Sequence, residues 1–115
     1  MVAEFRKMDK KPINDKDLKL TEDYLSRLRR TGVTVDSAFI FGSRIKGTAN
    51  YWSDLDLCIV SPRFGRDRQR ERVMLLNLRE NEDLMIEPHP FSPVDFQNKF
   101  DPLVREIKST GYKIV

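Results

Sequence analysis

The amino-acid sequence predicts an α/β domain of the α+β kind, with a small mixed β-sheet of three to four strands flanked by helices. Segments with the apolar period of a helix alternate along the chain with short apolar or alternating segments that suit strands. Two of the predicted strands stop at turn-forming residues, Gly42-Ser43 and Ser61-Pro62. The length of 115 residues suits one domain.

The chain opens with an irregular segment that leads into a helix. Residues 1–14 are polar and aperiodic, and we expect them to form an N-terminal arm before a domain that spans 15–115. Leu18, Leu25 and Leu28 recur at spacings of seven and three residues, which is typical of an amphipathic helix. Gly32 suits the end of that helix, which we place at 15–30.

Two strands are predicted after this helix. The segment 37–41 is a short apolar run that stops at Gly42-Ser43, and a short helical turn plus loop is expected at 44–52. The segment 54–60 alternates, with Asp54, Asp56 and Cys58 on one face and apolar residues on the other. Because successive side chains of a strand point to opposite faces, this period of two indicates a half-buried strand.

The second half of the chain is predicted to hold two helices separated by a strand and a turn. They are a helix at 66–80, a strand at 83–87, a turn or short helix at 93–96, a helix at 102–109 and an apolar tail at 112–115. We expect Pro88 and Pro90 to close the strand, since proline cannot donate to a ladder of hydrogen bonds. Pro102 is favoured near the start of a helix, and Gly111 suits its end.

The composition argues against a secreted or membrane protein. Charged residues make up 34% of the chain, and the net charge of +3 is compatible with phosphate-bearing partners without requiring them. The single cysteine, Cys58, cannot form an intramolecular disulfide, which favours a reducing, cytoplasmic setting. The longest dense apolar run, at 73–76, is far shorter than the ~20 residues that span a bilayer. The N-terminus lacks the apolar core of a signal peptide.

Asp54 and Asp56 are the first candidate site residues. At positions i and i+2 of a strand they project from the same face, where two carboxylates repel each other unless a cation lies between them. Mg²⁺ prefers such oxygen ligands. The alternative is that the pair belongs to a solvated strand face.

Gly42 and Ser43 are the second candidate, because they join a buried strand to the start of a helix. A glycine lets a phosphate approach the backbone, and the first N–H groups of a helix attract anions. Arg44 and Lys46 lie close by in sequence as counter-charges. The alternative is an ordinary helix cap, and Ser43 could serve both purposes.

Glu87, at the end of the next predicted strand, is a third carboxylate that would complete a two-metal site. A surface carboxylate at a strand end is the alternative for Glu87. His89 follows two residues later and is either a metal or phosphate ligand or a structural histidine. Cys58 shares the parity of the aspartates, but a strand centre favours a buried, inert thiol.

The segment 63–78 is basic in its first part and apolar in its last. The arginines at 63–72 are either a solvated helix face or a surface for a polyanionic acceptor or partner. The apolar residues at 73–78 exceed what one helix face needs. That excess indicates either deep burial or a contact in an oligomer.

The stretch from Gly42 to Leu57 resembles the signature of the minimal nucleotidyltransferases. It combines Gly42-Ser43, the arginine and lysine of the following helix start, and Ser53-Asp54-Leu55-Asp56-Leu57. These small proteins belong to the DNA polymerase beta superfamily, which includes kanamycin nucleotidyltransferase-like enzymes and antitoxin-type nucleotidyltransferase domains. The resemblance covers most of 18–115. One departure is Glu87, since the third position is more often aspartate.

The resemblance implies the nucleotidyltransferase fold and an enzyme that moves a nucleoside monophosphate from an NTP, with ATP as the expected donor. Gly42-Ser43 would bind the triphosphate, with Arg44 and Lys46 beside it. Asp54, Asp56 and Glu87 would hold Mg²⁺ in a two-metal site, and Glu87 would help activate the acceptor hydroxyl.

The resemblance also implies a partner, because small proteins of this type are often paired with a separate helical protein. That partner would be of the HEPN-like kind, either a toxin of which this chain is the antitoxin or the second subunit of an enzyme. A homodimer is the other expected assembly. A non-catalytic nucleotide- or RNA-binding protein of the same fold is a further alternative, which the two intact aspartates disfavour. Contact with nucleic acid remains open.

Overall fold

The computed structural model describes residues 13–46 and 53–115. Its helices are α1 (Asp15–Arg30), α2 (Ser43–Lys46), α3 (Arg68–Asn77) and α4 (Pro102–Thr110), and its strands are β1 (Ser37–Phe41), β2 (Leu55–Val60), β3 (Ile86–Phe91) and β4 (Tyr112–Lys113). Short 3₁₀ helices lie at Asn81–Asp83 and Asp95–Gln97. The predicted arm as far as residue 12 and the part at 47–52 of the helical turn and loop predicted at 44–52 fall outside the described residues.

The four strands form one mixed sheet in the order β3-β2-β1-β4, flanked by helices, which confirms the predicted fold class. Strand β1 is antiparallel to both β2 and β4, whereas β2 and β3 are parallel. Parallel neighbours need a crossover, and α3 provides it. The apolar tail predicted at 112–115 therefore contributes the fourth strand.

Helices cover both faces of the sheet. Helices α1 and α3 pack on one face, where Leu25, Leu28 and Leu75 join the inward side chains of β2 in a single core cluster. The Tyr24 hydroxyl links these helices by donating to the backbone carbonyl of Leu75 at 2.6 Å. Helix α4 covers the opposite face through Val104 and Ile107. This second face carries the alternate positions of β2, including Asp56, on which the candidate site depends.

Helices α1 and α4 begin with the side-chain caps that the sequence allows. The Asn14 side chain accepts a hydrogen bond from the backbone N–H of Asp17 at 2.7 Å, and the neighbouring Ile13 is buried. The Asp101 side chain accepts from Leu103 N–H at 2.9 Å, with Pro102 in the first turn as predicted. Such caps satisfy donors that have no partner inside the helix.

Strand β3 differs from the prediction. It spans Ile86–Phe91 and includes Pro88 and Pro90, which were expected to close a strand at 83–87. The prolines are tolerated because β3 is an edge strand: β2 donates to the carbonyl of Met85 and Ser61 to that of Phe91, so alternate positions between them face the open edge. Their missing N–H groups therefore remove no ladder bond.

Helix α3 is shorter than the predicted 66–80. It also leaves several of its apolar side chains accessible to solvent. Leu75 is fully buried, whereas Val73 and Met74 are 50% and 38% exposed. Of the two interpretations of the apolar excess, deep burial holds for Leu75 alone. Within the described residues, no helix is both long and apolar enough to cross a bilayer.

Candidate active site

The sheet register places two of the predicted carboxylates side by side. Asp56 of β2 pairs with Glu87 of β3 on one side and with Phe41, the last residue of β1, on the other. Paired residues share a face, so both carboxylates lie on the face that α4 covers. Asp54 immediately precedes β2 and is exposed.

Gly42 fits closely against Asp56. Its φ of 83° lies in the left-handed region, and a Cβ built there would stand 2.4 Å from Asp56 Oδ2. Only glycine therefore allows β1 to turn into α2 with this carboxylate in place. Ser43 begins α2, and the carbonyl of Gly42 accepts the N–H groups of Ile45 and Lys46. The predicted cradle and the predicted metal ligand are thus in direct contact.

His89 holds the second oxygen of the same carboxylate. Its Nε2 atom lies 3.1 Å from Asp56 Oδ1, and its ring packs against Phe41 with centroids 5.1 Å apart. In the register His89 is next to Cys58, two residues further along β3 than Glu87. The parity of His89 with Glu87 was the sequence signal for this placement.

Glu87 forms an ion pair with Arg72 of α3. The side chains are 24% and 45% exposed, so solvent reaches both partners. Arg72 was part of the basic run for which a solvated face or a binding surface was expected. The structure adds that one of these arginines contacts the third predicted carboxylate directly.

Arg44 and Lys46 are used within the protein. Arg44 donates to Asp17 Oδ2 at 2.6 Å and to the Ser53 carbonyl at 2.7 Å, and its side chain is only 11% exposed. Lys46 pairs with Glu106 at 3.2 Å on the surface. Arg44 therefore ties α2 to α1 and to the residue that precedes Asp54. A phosphate contact for either residue stays a prediction.

The carboxylates suit Mg²⁺ in donor type, but they are not gathered into a cluster. Among residues 13–46 and 53–115, no three His, Cys, Asp or Glu side chains stand together with the spacing that a metal ion needs. Asp56 is shared between Gly42 and His89, and Glu87 contacts Arg72. Asp54, Asp56 and Glu87 nevertheless offer hard oxygen atoms at the end of the sheet where β2 and β3 begin, next to Gly42 at the end of β1. The donor chemistry of these residues fits a magnesium ion, although in this arrangement they are not spaced as a formed metal site.

Cys58 is buried in the α4-facing core. Burial raises the pKa of its thiol to about 12, and Arg68 partly offsets that rise. A thiol in this state is not a nucleophile at neutral pH, as the sequence indicated.

Comparison with protein families agrees with this geometry. Residues 18–110 match the family described as nucleotidyltransferase domain. The chain belongs to that family. As a nucleotidyltransferase domain it falls within the polymerase beta-like superfamily, and the matched span includes Gly42, Asp54, Asp56 and Glu87. No curated protein matches the chain.

The nucleotidyltransferase domain has a cleft of about 600 Å³ next to its carboxylates. Arg68 and Arg72 of α3 line it together with His89 of β3 and Asp101, which stands at the start of α4. Arg68 belongs to the basic run at 63–72, but the sequence analysis did not distinguish it from the other arginines of that run. A signal was present, since Arg68 and Arg72 are four residues apart and so share one helix face.

Proposed function

We propose that this nucleotidyltransferase domain transfers a nucleoside monophosphate from an NTP, with ATP as the expected donor, to an acceptor hydroxyl. The observation that carries the proposal is the side-by-side register of Asp56 and Glu87, with Asp56 packed on Gly42. Family membership supports the same reaction class. A protein that only bound nucleotides would gain nothing from repelling carboxylates beside a phosphate cradle.

The reaction balances with the residues present. The acceptor hydroxyl oxygen forms a bond to the α-phosphorus while the bond from that phosphorus to the pyrophosphate oxygen breaks. We assign the hydroxyl proton to Glu87, and pyrophosphate leaves. Gly42 and Ser43 would orient the triphosphate through backbone N–H groups. Such positioning is the main contribution of a protein to phosphoryl transfer.

Asp54, Asp56 and Glu87 would hold Mg²⁺. When bound, the metal would neutralise charge on the triphosphate and on the attacking and leaving oxygens. To bind the metal, the Glu87 side chain would have to turn away from Arg72. Its partial exposure leaves room for that rotation.

We further propose that the domain works in an assembly, with a HEPN-like helical partner or as a homodimer. The exposed Val73 and Met74 on α3 favour this, because adjacent exposed apolar side chains are characteristic of contact surfaces. An antitoxin role beside a helical toxin is the second candidate function. It would be supported by light scattering of this chain mixed with a HEPN-like helical protein, if a complex forms that Val73→Glu prevents. Ser109→Glu is the control, because it introduces the same side chain at an exposed position of another helix, α4.

The leading proposal is tested by ligand-induced stabilisation and by transfer. ATP with Mg²⁺ should raise the melting temperature, because a ligand that binds only the folded state stabilises it by mass action. Asp56→Asn should abolish that shift and the transfer of labelled nucleotide. Asp36→Asn, an exposed change at the opposite end of β1, should preserve both. No shift with millimolar ATP and metal in the unaltered protein would refute the proposal.

A further inference from the structure

We propose that the cleft beside Glu87 is a phosphate-binding subsite, centred on Arg68, for an acceptor that carries a phosphate near its reacting hydroxyl. The inference rests on the proposed function and names its acceptor class. The walls of the cleft come from α3, β3 and the start of α4.

Arg68 is held in place without being neutralised. Its Nε donates to the Pro90 carbonyl at 3.1 Å, and its guanidinium lies over the Phe91 ring, 4.3 Å from the centroid. In the described parts of the chain no carboxylate pairs with it. A guanidinium has five N–H donors, and this arrangement uses one of them within the protein. The remaining donors form a preorganised fork that matches a phosphate.

The position of Pro90 explains why Arg68 can be fixed in this way. On the edge strand β3, the carbonyl of Pro90 faces away from β2 and accepts no ladder bond from it. It is therefore free to receive Arg68. The cleft is also close to the candidate carboxylates. A single side chain, that of His89, lines the cleft and contacts Asp56.

Carboxylate side chains cap several N–H groups at the N-terminal end of helix α3. The Asp67 side chain accepts from the N–H of Arg70, and Glu71 accepts from the N–H groups of Gly65, Arg66 and Asp67. These groups already have partners. These capped groups are not available to an anion, so we assign the subsite to the arginine side chains that line the cleft.

Arg72 couples the subsite to the carboxylates. It lines the cleft and pairs with Glu87, so whenever Glu87 turns to a metal ion Arg72 becomes a second cation facing the cleft. Among the residues that line the cleft, the two cations Arg68 and Arg72 then face one carboxylate, that of Asp101, which favours an anionic occupant. A neutral acceptor such as a protein hydroxyl would make no use of them.

A binding experiment tests the subsite without requiring turnover. The probes are a short fluorescent oligoribonucleotide with a free 3′-hydroxyl and, separately, adenosine 5′-monophosphate, titrated against the full chain. Arg68→Met keeps an apolar stem on Phe91 but removes the fork, and Arg68→Lys keeps the charge. Arg70→Met is the control, because Arg70 is highly exposed on the same helix and pairs with Asp67 at the surface.

We expect Arg68→Met to weaken oligoribonucleotide binding at least about tenfold, as is typical when a charged hydrogen bond is removed. The slope of log affinity against log salt should become shallower by about 0.7 for each phosphate of the single strand that the variant no longer neutralises. Arg68→Lys should retain the slope and part of the affinity, and Arg70→Met should retain both. Arg68-dependent binding of the mononucleotide alone also supports the subsite and assigns a free nucleotide as acceptor.

Two results would overturn the subsite. One is equal weakening by Arg68→Met and Arg70→Met, which would mean a diffuse basic surface. The other is binding of neither probe by a protein that still transfers nucleotide to a partner protein. Stabilisation by ATP and Mg²⁺, measured in parallel on Arg68→Met, separates failure of this subsite from failure of the transferase proposal.

Discussion

The Nε2 atom of His89 lies 3.1 Å from Oδ1 of Asp56, and the two residues come from neighbouring parallel strands. The other carboxylate oxygen of Asp56 lies over Gly42. Both oxygens of this side chain are therefore positioned by the fold. A histidine in this relationship acts through the carboxylate that it orients, as partners of metal-ligating carboxylates generally do.

Substitution of His89 should weaken metal binding more than it weakens the fold. His89→Ala should lower the affinity for Mn²⁺ by about tenfold or more, in line with the effect of removing such partners. His89→Gln, which can still donate to Asp56, should recover part of the loss. Calorimetric titration with Mn²⁺ measures both, and equal affinities in all three proteins would show that the contact is not used.

Substitution of Gly42 should be more damaging than its backbone conformation alone explains. Gly32 has a similar φ of 97°, but a Cβ there would meet no atom within 4 Å. Each Gly→Ala change should cost about 1–2 kcal/mol of strain in the left-handed region. Gly42→Ala should cost more, because its methyl group displaces Asp56.

The Gly32→Ala variant is therefore a matched control for Gly42→Ala. Urea unfolding should show the larger loss of stability for Gly42→Ala, and only that variant should lose stabilisation by ATP and Mg²⁺. Indistinguishable unfolding and ligand responses in the two variants would contradict the close fit between Gly42 and Asp56.

Arg72 should compete with metal for Glu87. Arg72→Met leaves Glu87 without its cation, so Mn²⁺ should bind more tightly while the free energy of unfolding changes by less than about 1 kcal/mol, as expected for a solvent-exposed pair. Glu87→Gln should leave stability similar but slow transfer. If Arg72→Met weakens Mn²⁺ binding instead, the ion pair holds Glu87 in position for the metal, and Arg72 does not compete with the metal.

Tyr24 should make the folded protein sensitive to alkali. Burial, followed by the nearby charge of Asp83, raises the pKa of Tyr24 well above its usual value of 10.0. Above about pH 10 the unfolded chain loses this proton while the folded chain keeps it, so stability is complete below that pH and falls as pH rises.

Tyr24→Phe tests this pH dependence. The variant should be less stable at neutral pH, by about 1 kcal/mol, because the carbonyl of Leu75 loses one of its two donors and keeps the N–H of Leu78. Its stability should fall less steeply above pH 10, as measured by urea unfolding across the alkaline range. Parallel curves for the two proteins would show that Tyr24 does not titrate on unfolding.

Periodicity and turn residues were sufficient to predict the fold class and the approximate positions of the elements. The alternation around Asp56 and the break at Gly42 identified a strand and a close approach because both are local effects. The path of β3 was predicted wrongly, since tolerance of Pro88 and Pro90 depends on which strand lies at the edge. That order is set by long-range pairing.

The partners of the charged side chains could not be predicted from local sequence patterns either. Arg44 was predicted as a counter-charge near a phosphate, which stays a prediction, and no sequence pattern indicated that Asp17, a residue 27 positions away, would hold its guanidinium. Arg72 reaches Glu87 only because α3 crosses over to β3. Sequence spacing indicates which residues share a helix face, but it does not indicate what that face meets.

The two edges of the sheet limit how this protein can meet other chains. Along β3, Pro88 and Pro90 leave the open side without two of its N–H donors, and β4 at the other edge is two residues long. Within residues 13–46 and 53–115, neither edge offers the row of donors and acceptors that an additional strand requires. Association by strand addition, including the edge-to-edge pairing that begins aggregation, is therefore disfavoured, and recognition of other molecules falls to helices and side chains.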